Sequence, residues 1–375
     1  MRILHVIDHL GIGGAQAYLG QLLTHWPSST DEIMVIPLSN KSSEIQSFRH
    51  AKPNIRILAP PSSSVSLRHL LDARQTIYNG EYDIVHAHLQ HACLLASSVF
   101  GTNSQKLIMH AHGSIYNYSA LRRRLLRFPY MKCDHIVANS NIVAHNLQQC
   151  YPLPPAKLSV VPCGVDTTVF SPDPITRVLK RNQLGLSNDT FLIGCIGRLL
   201  PIKGQHLLLE ALIALNHHFH DWAAIIIGDG PMRDTLSRKI ASSSSLRDRV
   251  SLIGSDPNVS AWTPAFDIAF LSGYRGMPIT AMEAMATGVP VVVNDIPGVE
   301  QLIQDGHNGL LVNAESSVQT ADAIHRLIAD PELRKTLGDN GRETILHHFD
   351  IRLLAQNLRE TYTRILGSEL PSLYQ

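Results

Sequence analysis

The stretch LSGYRGMPITAMEAMATGVPVVVND, residues 271–295, decides the fold. A loop with two glycines, Gly273 and Gly276, opens onto a helix that starts near Pro278, a residue suited to a helix's first turn. The helix carries Glu283 within the small-residue run Ala281–Ala286 and stops at Gly288. The apolar run from Pro290 then reads as a buried parallel strand. Loop, helix N-terminus and strand in this order make an anion site with a carboxylate one turn inside it.

Outward from this stretch, strands alternate with helices in both directions. Strands are expected at 191–196, 224–227, 249–253, 268–271, 289–293 and 309–312. Helices are expected at 206–216, 232–241, 279–286 and 317–328, with a helical tail over 331–366. Before them lies a second series, with strands at 2–8, 32–38, 55–59, 84–88, 106–112, 135–139 and 158–162. Helices there are expected at 16–24, 67–78 and 142–149. The segment Cys163…Phe170-Ser-Pro-Asp-Pro174 between the series reads as a linker. The fold class is therefore α/β: two doubly wound, Rossmann-like domains facing across a cleft, with ligands at the carboxyl ends of the strands. Residues 1–170 form the acceptor-side domain and 171–350 the nucleotide-binding one. Residues 351–375 form a helix crossing back to the first.

A chain of 375 residues with 44% hydrophobic and 17% charged residues can bury two sizeable cores. No apolar run approaches 18 residues and no signal peptide is evident, so a cytoplasmic protein is expected. The five cysteines show no metal-ligand spacing and fit reduced thiols. Net charge is +1 but uneven: residues 1–170 hold 14 Lys+Arg against 9 Asp+Glu, the remainder 18 against 22.

Gly11-Ile-Gly13-Gly14 follows the first strand, where glycines let backbone N–H groups approach a phosphate. The spacing is not GxGxxG and no acidic residue ends the second strand, which argues against a nicotinamide cofactor. Gly197-Arg198-Leu-Leu-Pro-Ile-Lys203-Gly204 places two cations at a strand's carboxyl end. That arrangement suits a diphosphate: Arg forks two oxygens and Lys adds a point charge. Gly228-Asp-Gly-Pro231 is assigned a structural turn first. Glu283 on a small-residue helix needs a partner, which ribose hydroxyls supply.

His110-Ala-His112-Gly113 ends another strand, where a histidine can bond a ligand hydroxyl. With 20 histidines in the chain, no single one decides a function. The pair resembles a metal motif, but it has no Cys or carboxylate at ligand spacing and His86/His88 repeats it, so no metal is expected. Leu121–Lys132, with four arginines, is a basic amphipathic segment. Its apolar face, Leu121, Leu125 and Phe128, belongs either to the core or to an anionic membrane surface, and the basic first half tips the reading to the membrane.

Taken together, these motifs resemble the family-4 retaining glycosyltransferases of the GT-B fold (group 1 glycosyl transferases), over nearly the whole chain. They include Gly13-Gly14, His112-Gly113, Asn139-Ser140, Val161-Pro-Cys-Gly-Val-Asp166, Gly197-Arg198…Lys203-Gly204, Gly228–Pro231 and Gly276-Met277-Pro278…Glu283. The resemblance implies a hexosyltransferase moving a sugar from a nucleotide-diphosphate donor to a saccharide or lipid-linked saccharide in cell-surface glycan biosynthesis. It also implies a metal-independent, retaining reaction without a cofactor; the basic segment Leu121–Lys132 adds the expectation of a cytoplasmic protein peripheral to the inner face of the membrane. Nucleic acid is not an expected partner.

By the same resemblance Arg198 and Lys203 bind the diphosphate and His112 contacts the transferred sugar. Gly13, Gly14, Gly276, Met277, Pro278 and Ile253 surround the donor, and Glu283 holds the ribose. Two positions depart from the pattern. Cys163 replaces an Asn, and Arg275 stands where a sugar-contacting Glu is usual. Arg275 either pairs with a charged donor sugar or turns outwards, the second being favoured. A non-catalytic GT-B protein and a sugar-nucleotide epimerase of the same architecture are the alternatives.

Overall fold

The computed structural model describes residues 1–11, 14–39, 54–58, 67–99, 105–113, 115, 118–215, 221–271, 278–313 and 316–367. The chain divides into two compact units, Met1–Gly164 with Ile351–Gln375, and Val165–Asp350.

In the first unit the elements run β1 (Arg2–His9), α1 (Gly14–Thr24), β2 (Glu32–Ser39), β3 (Ile55–Ile57), α2 (Leu67–Asn79), β4 (Ile84–His88) and α3 (Gln90–Val99). They continue with β5 (Lys106–Ala111), α4 (Ala120–Lys132), β6 (His135–Ala138), α5 (Asn141–Cys150) and β7 (Leu158–Val160). The sheet order is β3-β2-β1-β4-β5-β6-β7, all parallel. Alternate residues of the central strands face opposite sides of the sheet. Leu4, Val6, Val85, Ala87, Leu107 and Met109 join one apolar core.

The second unit runs α6 (Pro174–Gln183), β8 (Phe191–Ile196), α7 (Gln205–Leu215), β9 (Trp222–Ile227), α8 (Arg233–Ser242), β10 (Val250–Gly254) and β11 (Ile268–Leu271). It ends with α9 (Ile279–Ala286), β12 (Val291–Asn294), β13 (Leu310–Val312), α10 (Ser317–Ala329) and α11 (Pro331–His348). Its parallel sheet has the order β10-β9-β8-β11-β12-β13, with separate apolar cores that place Val291 and Val293 on one and Val292 on the other. Both sheets are doubly wound, and order reverses between β1 and β4 and between β8 and β11. Such switch points open a crevice beyond the strands' carboxyl ends, where ligands bind. Each unit is thus a Rossmann-like parallel-sheet domain.

The final helix, α12 (Ile351–Ile365), belongs to the first unit. Arg359 Nε donates to Asp31 Oδ2 at 2.8 Å, and Trp26 Nε1 donates to the same oxygen at 3.0 Å. The tail expected to be helical over 331–366 forms two helices, α11 and α12, parted at Phe349–Asp350, where Val165 N donates to Phe349 O at 2.9 Å.

The segment read as a linker is ordered by side-chain caps. Asp166 Oδ1 accepts from Thr168 N at 2.9 Å, and Asp173 Oδ1 accepts from Ile175 N and Thr176 N at 3.0 and 2.9 Å. Pro174 is thus the first residue of α6, where its missing N–H costs nothing.

Candidate functional site

At the end of β8, Gly197 takes φ +155° and the chain turns through a 3-10 stretch, Pro201–Lys203, into α7. This loop is braced by backbone: Leu199 N donates to Asp229 O at 2.9 Å and Met232 N to Leu199 O at 3.0 Å. Gln205 Nε2 donates to Arg198 O at 3.1 Å. Arg198 and Lys203 are both exposed residues of this fixed loop, with part of the Lys203 side chain withdrawn from water. Desolvation first, and then the charge of Arg198, lower the pKa of Lys203. Among the described residues no carboxylate pairs with Arg198. Two cations close enough to oppose each other favour a polyvalent anion between them.

The Gly228–Pro231 turn has the structural task expected of it. A Cβ on Gly228, at φ +145°, would lie 2.0 Å from Gly197 O, and one on Gly230, at φ +155°, would lie 2.6 Å from Leu199 O. Only glycines let the turn pack flat on the cationic loop.

Strand β11, beside β8, leads into α9. Pro278 sits at its N-cap with φ −80° and ψ 90°, one residue before the helix proper. Ala281, Met282, Ala284, Met285 and Ala286 are buried, and Glu283 is half-buried among them. Desolvation raises the Glu283 carboxyl to about 8, and among the described residues it has no hydrogen-bond or ion-pair partner. Ile253, part-buried, ends β10 just before Gly254, which takes φ +88°. Arg198, Lys203, Pro278, Glu283 and Ile253 therefore gather at the carboxyl edge of the second sheet. Gly273, Arg275, Gly276 and Met277 lie outside the described residues, as does Gly13.

In the first unit, Gly14 opens α1 and is exposed. His112 follows β5 directly, its carbonyl accepting from Asn139 Nδ2 at 2.8 Å. Cys163 lies buried with its sulfur 4.0 Å from the same nitrogen, and burial pushes its thiol up to about 11. All five cysteines are free.

One grouping escapes a reading of the sequence. In register, His5 pairs with His86 and His88 with His110, so His5, His86, His88, His110 and His112 share one face of β1, β4 and β5. His5 Nδ1 lies 2.9 Å from His88 Nε2, and His88 Nδ1 lies 3.0 Å from His112 Nε2. His86 Nδ1 meets the Tyr362 hydroxyl. Burial holds His5 and His112 at about 3, and His86, His88 and His110 well below the ordinary imidazole value. All five rings are neutral at physiological pH, so each offers a neutral donor or acceptor rather than a charge.

On α4, Leu121, Leu125, Phe128 and Met131 are 69%, 50%, 56% and 41% exposed, while Leu126 and Tyr130 are buried. The face Leu121–Leu125–Phe128 therefore points out of the first unit's core. The core reading fails for these three residues. Arg122 stacks on the Tyr118 ring at 3.7 Å, and Lys132 Nζ lies 5.5 Å above Phe128.

Known proteins agree with this architecture. Residues 177–344 match the family profile of the glycosyl transferases group 1, and residues 12–169 that of glycosyltransferase family 4. The chain is 27% identical over 364 residues to the GDP-mannose-dependent alpha-(1-6)-phosphatidylinositol monomannoside mannosyltransferase of Mycobacterium tuberculosis, covering 93% of this chain and 94% of the relative. It is 27% identical over 322 residues to the UDP-Gal:alpha-D-GlcNAc-diphosphoundecaprenol alpha-1,3-galactosyltransferase of Escherichia coli, covering 82% and 81%. Among solved structures, Anabaena HepE in complex with UDP superposes with a TM-score of 0.85 at 23% identity, over 97% of this chain and 100% of that one. At that identity the likeness establishes the fold.

Proposed function

We propose, for a chain that belongs to the group 1, family-4 glycosyltransferases of the GT-B fold, the transfer of a hexosyl group from a nucleoside-diphosphate sugar to a hydroxyl of a saccharide or lipid-linked saccharide. One observation carries this reading. The elements that follow β8 and β11, the two strands at the second sheet's switch point, carry a cation pair and a carboxyl, Glu283, without a partner among the described residues. Arg198 and Lys203 match the donor's diphosphate, and Glu283 matches the ribose hydroxyls.

During transfer the anomeric carbon becomes positive and the leaving phosphate negative. A braced loop holding two cations stabilises the leaving charge without reorganising, the usual source of large electrostatic rate effects. The acceptor's proton passes to the departing phosphate oxygen on the same face of the sugar. The anomeric configuration is thereby retained, and no side chain is assigned as general base. His112, neutral, contacts the transferred sugar. No step of this scheme uses a metal.

The two relatives named above act, by their names, on a phosphatidylinositol mannoside and on a diphosphoundecaprenol-linked sugar. A lipid-linked acceptor in cell-surface glycan biosynthesis fits this chain too. The exposed apolar side chains of α4, ringed by Arg122, Arg123, Arg124 and Arg127, would seat on an anionic membrane surface. Among the described residues no helix is long and apolar enough to cross a membrane.

Incubating the protein with a panel of nucleotide sugars, with and without lipid-linked acceptors, tests the proposal. Transfer requiring both partners supports it. Conversion of the nucleotide sugar without acceptor, or no turnover with any donor, refutes it.

A further inference from the structure

Three neighbouring strands of the second sheet, β8, β9 and β10, run out into glycines: Gly197, Gly228 and Gly254. The three are joined side by side, since Gly197 N donates to Ile227 O at 2.9 Å and Gly228 N to Gly254 O at 2.8 Å. Among the described residues a Cβ on Gly197 would meet only Gln205 Nε2, at 3.7 Å. One on Gly254, at φ +88°, would meet only Arg233 Nη1, at 3.6 Å. At both ends of this row the main chain is open at the sheet's carboxyl edge, which lets a flat ring approach it closely. The row starts at the Arg198 loop and ends beside Arg233.

Arg233 opens α8 directly after the Gly228–Pro231 turn. Its side chain is half-exposed, yet Nη1 is buried and has no hydrogen-bond partner among the described residues. Asp229 Oδ2 lies 4.0 Å from it, close enough to orient the guanidinium and too far to accept its proton. A buried charged donor left unmet is costly, and buried polar atoms in folded proteins nearly all have partners. Nη1 is thus set for an acceptor that arrives with a ligand on the glycine row.

We propose that Arg233 reads the base of the donor nucleotide by donating to a ring carbonyl, and so restricts the donor to sugars carried on guanosine or uridine diphosphate. The inference rests on the donor-site reading above, in which Arg198 and Lys203 hold the diphosphate. Guanine carries a carbonyl at C6 and uracil one at C4, whereas adenine and cytosine carry an amino group at the corresponding positions. A guanidinium has donors and no acceptor. It meets the carbonyl bases with a hydrogen bond and faces the amino bases donor against donor. Sites built to bond one polar group reject its mismatch strongly, because the buried partner is then left unmet. Guanine also offers N7 beside O6, matching the guanidinium fork, while uracil offers O4 alone.

Calorimetric titration of the full chain with GDP, UDP, ADP, CDP and pyrophosphate tests this. GDP or UDP should bind roughly 10- to 100-fold more tightly than ADP and CDP, and whichever of the two leads identifies the donor's base. Arg233→Met, which keeps an apolar stem and removes the donors, should erase that preference. Its affinity for pyrophosphate should be unchanged, because the contact is to the base. The comparison of bases in the wild type stands whether or not the variant folds. Equal binding of all four diphosphates, or a preference kept in Arg233→Met, overturns the proposal and leaves the donor site standing. A loss of pyrophosphate binding in step with nucleotide binding makes Arg233 a third phosphate cation and also overturns it. Binding of none of the four diphosphates removes the donor-site reading, and the proposal with it.

Discussion

The carboxyl edge of the second sheet and the histidine face of the first handle polar groups in opposite ways. At the former, charge stands on exposed side chains while the backbone beneath is rigid: Leu199, Asp229 and Met232 are locked by main-chain bonds, and Gly228 and Gly230 admit no side chain. At the latter, neutral rings lie inside the sheet's own packing with nitrogens unmet. Groups on a braced loop can be removed without disturbing the fold and can act on a ligand. Groups inside a sheet are held by the fold, and only a small ligand can reach them.

The largest expected effect tests the first half of that contrast. Arg198→Ala and Lys203→Ala should each lower the rate of transfer roughly 10²- to 10³-fold, the loss of one pre-organised charge contact. Stability should stay within about 0.5 kcal/mol, as for exposed sites. Chemical denaturation beside the transfer assay checks both. A loss of stability matching the loss of rate would show that the loop, not the charge, had failed.

The glycines beneath should behave the other way round. Gly228→Ala forces a Cβ to within 2.0 Å of Gly197 O at a positive φ and should cost more than about 2 kcal/mol in denaturant unfolding. Gly113→Ala, beside His112, meets nothing within 4 Å and should change stability by less than about 0.5 kcal/mol. Equal effects at the two positions would remove the distinction between a braced and an open strand end.

Glu283 sharpens the comparison through pH. Its folded-state carboxyl keeps its proton up to about 8, while the unfolded chain ionises near 4.5. The unfolded state therefore binds fewer protons between these values, and stability falls as pH rises through that window and levels above it. Subtracting the unfolding curve of Glu283→Gln isolates this slope. Nucleotide binding that satisfies the carboxylate should release a proton, so affinity should rise with pH over the same window in wild type and stay flat in Glu283→Gln. A variant with the wild-type slope would exclude Glu283 as the ribose contact.

The smallest effect belongs to the histidine face. His110→Phe removes two unpartnered nitrogens and should leave stability unchanged or slightly higher, within about 1 kcal/mol. A loss of several kcal/mol, measured by denaturant unfolding, would show that His110 has a polar partner in the folded protein.

Legibility in the sequence divides along the same line. The alternation of strands and helices, the Gly197–Gly204 and Gly228–Pro231 loops and the small-residue helix of Glu283 are written in consecutive residues, so local pattern reveals them. Helix α6 hides behind Pro172 and Pro174, whose turn signal conceals the cap made by Asp173. The break between α11 and α12 hides because the helical period of residues 331–366 continues across it, although Asp350 there is tied to Val165 and Thr167. The histidine face is written over more than a hundred residues, from His5 to His112. His86/His88 and His110/His112 are visible as period-two pairs, but only strand register makes them neighbours.

The central claim is that Arg198 and Lys203 hold the donor's diphosphate, and calorimetric titration with a nucleoside diphosphate and its monophosphate tests it most directly. Wild type should bind the diphosphate more tightly, and Arg198→Ala or Lys203→Ala should erase about 10- to 100-fold of that preference, the worth of one charge-assisted contact. A preference left intact in both variants would contradict the assignment.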